Sequence, residues 1–266
     1  MSEAPAPDAN PAPARAARRP ARRASDVRID QQPGFILHAY AWRETSLIVE
    51  AFTRDYGRLA LVARGAKRPT SQFRGLLSPF SPLALAWSGR AEIKALVRVE
   101  WLGGLAPLRG DGLLAAFYLN ELLVRLMPRG DAHPMLFSAY IEALHDLDGP
   151  GRTREAVLRA FELALLREMG YAPSLSEAAD GAPIDAARWY RVDAQRGLLA
   201  VDGSVDELCV RGSSVLALAQ GTLSQPQAAA DSKTLLRQLI RYHLNGQPLN
   251  TRRIFQDLRR LESEPL

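Results

Sequence analysis

Residues 57 to 75 read GRLALVARGAKRPTSQFRG and carry Arg58, Arg64, Lys67, Arg68 and Arg74 with no acid among them. Like charges repel, and an ordinary solvated face relieves that repulsion by mixing in Asp and Glu. A cluster left uncompensated calls for an anion from outside, and a row of guanidinium and ammonium groups suits a string of phosphates. The strand period of two puts Arg58, Ala60, Val62 and Arg64 on one face and Leu59, Leu61 and Ala63 on the other. By the same period Lys94 and Arg98 share a face within IKALVRVEW (93–101). Arg58 alone reads equally well as the partner of an acid such as Asp55 or Glu100. From Arg64 to Arg74 no acid is within reach along the chain, so phosphate binding is the reading for that cluster.

Chemistry of other kinds lacks residues. No glycine run follows a strand into a helix as G-x-G-x-x-G or a Walker A loop, so a nucleotide-phosphate cradle is not expected. The histidines at 38, 133, 145 and 243 have no neighbours at metal-ligand spacing. Cys209 is the single cysteine; it excludes an intramolecular disulfide and cannot supply a four-ligand zinc site. The expectation is a binding protein, not an enzyme, with no cofactor and no metal, suited to a reducing cytoplasm. No run of about 18 apolar residues is present to span a membrane.

Stepping from charge to architecture, the 266 residues, 47% hydrophobic and 24% charged, suffice for two globular domains. The net charge of +5 is uneven: residues 1–34 contribute +2, 35–101 contribute +5 and 102–266 contribute −2. The first 25 residues hold nine Ala and five Pro and no aromatic or β-branched residue. Such a segment buries too little apolar area to offset its ordering entropy, so residues 1–33 are expected to form a disordered arm. Its five Arg fit a presequence, a weak nucleic-acid tether or a solubilising tail, the last being favoured. Residues 34–106 hold five strand-like runs, FILHAYAW, SLIVEAFT, GRLALVARG, SPLALAW and IKALVRVEW, with Gly57 closing a tight hairpin turn. Five short strands in this length suit an OB-fold barrel, whose surface binds oligonucleotides. After 107 the period becomes helical: 111–127 with Asp111 as a plausible cap, a second helix ending at Gly149, and 153–170 closed by Gly170. An irregular insertion at about 171–210 contains a hairpin, and helices near 213–220, 231–246 and 250–261 follow. The fold class is α+β, an N-terminal OB-fold followed by a mainly α-helical domain at 107–266.

FILHAYAWRETSLIVEAFTRDYGRLALVARGAKRPTSQFRGLLSPFSPL closely resembles the N-terminal domain of the bacterial recombination mediator family RecO, and FYLNELLVRL, RAFELALLREMGY and RYHLNGQPLNTRRIFQDL resemble its helical domain. The resemblance covers nearly everything from 34 to 261. It implies binding of single- and double-stranded DNA, annealing of complementary strands, work with RecR, docking of the acidic C-terminal tail of single-stranded-DNA-binding protein (SSB), loading of RecA indirectly, and residence at the nucleoid. Many relatives carry a four-Cys zinc module matching 171–210; GYAPSLSEAADGAPI has no Cys, so zinc is expected to be absent.

In TREAVLRAFELALLREMG, residues 159, 162, 163 and 166 share one side of a helix, which places Arg159 beside Leu163 and Leu166. By residue type Arg159 reads best as a partner of Glu155 or Glu162 with the leucines in the core. The resemblance, in which the position of Arg159 lies in the SSB-tail site, instead favours a tail site made of Arg159 with the neighbouring Leu163 and Leu166. Lys233, Arg237 and Arg241, with Arg252, Arg253, Arg259 and Arg260 beyond, read first as solvated cations and second as a further DNA or RecR contact. The alternative from another class is an RNA-binding or ribosome-associated OB module, which a basic barrel would fit as well.

Overall fold

The computed structural model describes residues 28–251, 253 and 254. β1 (Arg28–Trp42), β2 (Ser46–Thr53), β3 (Gly57–Ala63), β4 (Leu83–Ser88) and β5 (Ile93–Trp101) close into a barrel in the order β1-β2-β3-β5-β4. All pairings are antiparallel except β3 with β5. Inward residues of each strand, among them Ile36, Val49, Leu61, Leu85, Trp87 and Leu96, fill the barrel. β1 starts at Arg28, so residues 28–33 belong to the barrel and not to the expected arm. The rest of the arm lies outside the described residues.

Helices α1 (Gly110–Leu126), α2 (Pro134–Asp146) and α3 (Arg154–Glu168) follow. α3 starts at Thr153, whose Oγ1 accepts from Ala156 N at 3.3 Å, and stops where Gly170 takes φ +71°. Asp111 does not cap α1. The carboxylate of Asp148 does part of that work, accepting from Arg109 N at 3.0 Å. The segment expected to be an irregular insertion holds a sheet ordered β7-β6-β8, from β6 (Trp189–Asp193), β7 (Gly197–Val201) and β8 (Cys209–Arg211). Among the described residues no group of three or more His, Cys, Asp or Glu is placed to hold a metal. α4 (Gly212–Gln220) and α5 (Pro226–His243) complete the helical core. Asn250, Thr251, Arg253 and Ile254 are helical, while Arg252, Arg259 and Arg260 and the rest of the expected last helix lie outside the described residues. No helix among the described residues is long and apolar enough to cross a membrane.

One end of the barrel's outer wall is sealed by the helices. Phe35, Leu37 and Phe52 point away from the barrel interior into the helical core, where Phe35 meets Tyr140 edge-on at 5.1 Å and Phe52 meets Phe137 at 5.3 Å. Leu37 is the extra residue of a β-bulge, since Ile36 pairs with Ala51 and His38 with Glu50. The carbonyl of Leu37 accepts from Asn120 Nδ2 at 2.9 Å, and Asn120 Oδ1 accepts from Tyr140 OH at 2.5 Å. Both side chains are buried. Asn120→Ala leaves these partners dry and unpaired, so we expect a loss of about 2 kcal/mol. Urea unfolding measures it, and an unchanged midpoint would mean the bulge needs no such support.

Candidate nucleic-acid interface

The loop from Arg64 to Phe80 lies across one end of the barrel and is built from successive tight turns: Arg68 N donates to Gly65 O at 3.0 Å, Ser71 N to Arg68 O at 3.0 Å and Arg74 N to Ser71 O at 3.2 Å. Ala66 and Phe73 are its buried anchors, packed on the barrel core with Leu76 and Leu77. Gln72 Nε2 donates to Val97 O at 3.1 Å, and Lys67 N donates to Thr45 O at 2.9 Å. Gly65 N donates to Ser46 Oγ at 3.3 Å, so the loop is tied to the β1–β2 turn as well as to β5. The anchors face inward, and the cations between and beside them, Arg64, Lys67, Arg68 and Arg74, are exposed. Among the described residues no carboxylate lies within ion-pair distance of any of the four. Arg74 makes only a hydrogen bond within the loop, to Pro69 O at 3.2 Å. The four expected cations of this loop are thus gathered on a single braced, solvent-facing segment.

The remaining three expected cations are placed elsewhere. Arg58 does face outward from β3, but the sealed end of the wall covers it. Its Nη1 donates to Glu50 Oε2 at 2.8 Å and its Nε to Met127 O at 2.8 Å, with 13% of the side chain exposed. The partner is Glu50, diagonal to Arg58 on the neighbouring strand β2, where Phe52 stands directly opposite, not Asp55 or Glu100. Arg129 donates to the other oxygen of Glu50 and to Glu92 at 2.7 Å. Glu50, with 3% of its side chain exposed, therefore joins the barrel to the α1–α2 connection. Arg98 lies 3.3 Å from Glu100 and 3.9 Å from Asp30. Lys94 and Arg98 do not share a face, because β5 bulges between Leu96 and Arg98: Trp87 pairs with Leu96 and Ala86 with Arg98. Leu96 and Val99, three apart, both enter the barrel core, which only a skipped residue allows.

A pair of aromatic residues went unread in the sequence. After the bulge at Leu37 the alternation of β1 is reversed, so His38, Tyr40 and Trp42 face outward while Ala39 and Ala41 pair with the inner-face Val49 and Leu47. Tyr40 is 45% and Trp42 43% exposed. Across the sheet Tyr40 faces Ile48, and Ile48 faces Val62. Trp42, Ile48, Val62 and Ile93 floor a cleft of about 430 Å³ rimmed by Arg43, Arg64 and Arg68. Arg43 holds φ +51° in the β1–β2 turn and its guanidinium carbon lies 5.9 Å from the Trp42 ring centroid. The signal was there: large rings alternating with alanines predict one crowded and one open face, but a strict period counted from Phe35 assigns the rings to the wrong side.

On α3 the expected strip is closed. Leu163 and Leu166 are core residues, 6% and 0% exposed. Arg159 Nη2 donates to Glu162 Oε1 at 2.6 Å, and Tyr118 OH donates to the same oxygen at 2.6 Å. Burial pushes the Glu162 carboxyl above its usual range against the pull of Arg159. The reason is position: the side of α3 that carries 159, 162, 163 and 166 turns toward α1 and the helical core, not toward solvent.

Comparison with known proteins agrees with this architecture. The family model described as Recombination protein O N terminal matches residues 28–105, and Recombination protein O C terminal matches residues 108–253. The DNA repair protein RecO of Ralstonia nicotianae is 49% identical over 245 residues, spanning 91% of this chain and 89% of that protein. That of Burkholderia orbicola is 47% identical over 262 residues, 98% and 94% of the two chains, and that of an Azoarcus species is 50% identical over 239 residues, 87% and 97%. Two matching halves in the right order, laid over a closed barrel and the helical region behind it, leave one conclusion: the chain belongs to the RecO family.

Proposed function

We infer that this protein is a DNA-binding recombination mediator of DNA repair that holds single- and double-stranded DNA by its phosphates and anneals complementary strands. The observation that carries the reading is the loop of Arg64, Lys67, Arg68 and Arg74, cations braced against the barrel with no acid among the described residues to neutralise them. Phosphate contacts fix a nucleic acid without reading its sequence, which suits a protein that must act on any broken or gapped DNA. The name carried by its relatives, DNA repair protein, favours DNA over RNA as the polyanion. RecR, SSB and, through them, RecA complete the proposal as partners. An SSB tail docking at Arg159, Leu163 and Leu166 would first have to open the Arg159–Glu162 pair and uncover both leucines, so its place within the helical domain is better sought among exposed residues.

The test is annealing of complementary oligonucleotides coated with SSB, followed by fluorescence. The full chain is expected to speed annealing several-fold, and the effect should fade as salt rises from about 50 to 200 mM. Annealing at the uncatalysed rate at low salt would sink the mediator reading.

A further inference from the structure

We propose that Tyr40 and Trp42 form a stacking shelf for unpaired bases, which makes this face of the barrel distinguish single-stranded from duplex DNA; the proposal rests on the DNA-binding reading above. Both rings stand on the outer face of one strand, two residues apart, and each leaves close to half its surface in water. Large aromatic side chains held open on a rigid strand are costly to hydrate and need a flat apolar partner. Trp42 shares its cleft with an apolar floor, Ile48, Val62 and Ile93, and a cationic rim, Arg43, Arg64 and Arg68; Tyr40 stands next along the strand, facing Ile48 across the sheet with its ring edge-on to His38 at 4.4 Å. That is the layout a nucleotide fits: base on the floor or a ring, phosphate on the rim.

Spacing decides which nucleic acid. Residues i and i+2 of a strand lie about 6.7 Å apart, whereas bases in a duplex are stacked at about 3.4 Å and hide their faces against one another. Only a strand whose bases can part from their neighbours offers two faces to two such rings. The rings are also fixed in advance. The bulge at Leu37 that turns them outward is held by Asn120, and the turn beyond Trp42 is tied to the basic loop through Thr45 O and Ser46 Oγ. A duplex, by contrast, meets the cations of the loop and no ring.

The experiment uses the full chain, a mixed-sequence fluorescent single strand, and the same sequence as a blunt duplex. Stacking lost at both rings in Tyr40→Ala/Trp42→Ala should weaken single-strand binding roughly 30-fold to several hundred-fold. Duplex affinity should stay within about twofold and the salt slope of both unchanged, since no phosphate contact is removed. Trp42→Phe paired with Tyr40→Phe keeps flat faces and should keep most of the single-strand affinity. Thermal unfolding of the variants should match the parent, as both side chains are on the open end of the wall. Equal losses on strand and duplex, or no loss on the strand, would overturn the shelf while leaving phosphate binding intact. Failure of the unaltered chain to bind either DNA would overturn the DNA-binding reading itself, and the shelf with it.

Discussion

The variant carrying Arg64→Ala, Lys67→Ala, Arg68→Ala and Arg74→Ala binds DNA roughly 10³-fold more weakly than the parent at about 0.1 M salt. The magnitude follows from counterion release: each neutralised phosphate frees close to one condensed cation, a gain of nearly tenfold at that salt. Among the described residues none of the four has an acidic partner to strand when removed, so the loss should be one of binding and not of folding. The anchors that shape the loop, Ala66, Gln72 and Phe73, are untouched. Affinity should fall by the same factor on unrelated sequences, because a phosphate contact carries no base information. Anisotropy titrations on several oligonucleotides, beside a melting curve, check both points. A loss confined to one sequence would mean the loop reads bases.

Glu50→Ala, a single change outside the loop, lowers the thermal midpoint by about 10 °C. Glu50 is buried between Arg58 and Arg129. Taking away one partner of a buried pair typically costs 3–5 kcal/mol because the other charge is left in a dry site, and for a chain of this size each kcal/mol moves the midpoint about 2–4 °C. Arg58 keeps only the Met127 carbonyl, and Arg129 keeps Glu92 at the surface. Since this clasp joins the barrel to the helices, calorimetry should also show the single transition broaden or split. DNA affinity at low temperature should hardly change, as Arg58 is not counted among the phosphate contacts. An unchanged midpoint would show that the aromatic contacts of Phe35 and Phe52 hold the two parts together without the ion pair.

Much of this was legible in local pattern. The alternation in GRLALVA correctly sends Leu59, Leu61 and Ala63 inward, because β3 runs without a bulge from Gly57 to Ala63. The unpaired cations after it were equally plain, since a lack of acids in a loop can be read directly. Two faults in phase were not. Bulges at Leu37 and near Val97 each insert a residue and reverse the face of everything that follows, and the side chains that hold their carbonyls come from elsewhere in the chain, Asn120 for Leu37 and Gln72 for Val97. For Arg159 the local pattern already named the pairing with Glu162 and the leucines as core, and it was the resemblance that pointed to a tail site. Arg58 has the right type for a surface anion site, yet what covers it comes from a distant segment, Met127 and Arg129. Charge type is local information, whereas burial of a charge is set by tertiary packing.

The most direct test of phosphate binding by this loop is the dependence of affinity on salt. Log Kobs against log salt, measured from about 50 to 200 mM on one single strand and its duplex, should be a steep line for the parent. For the four-alanine variant the slope should be shallower by about three units, since each cation lost removes about 0.7 of a released counterion on a single strand and 0.9 on a duplex. Parallel lines for parent and variant would contradict the account, for they would mean that Arg64, Lys67, Arg68 and Arg74 touch no phosphate.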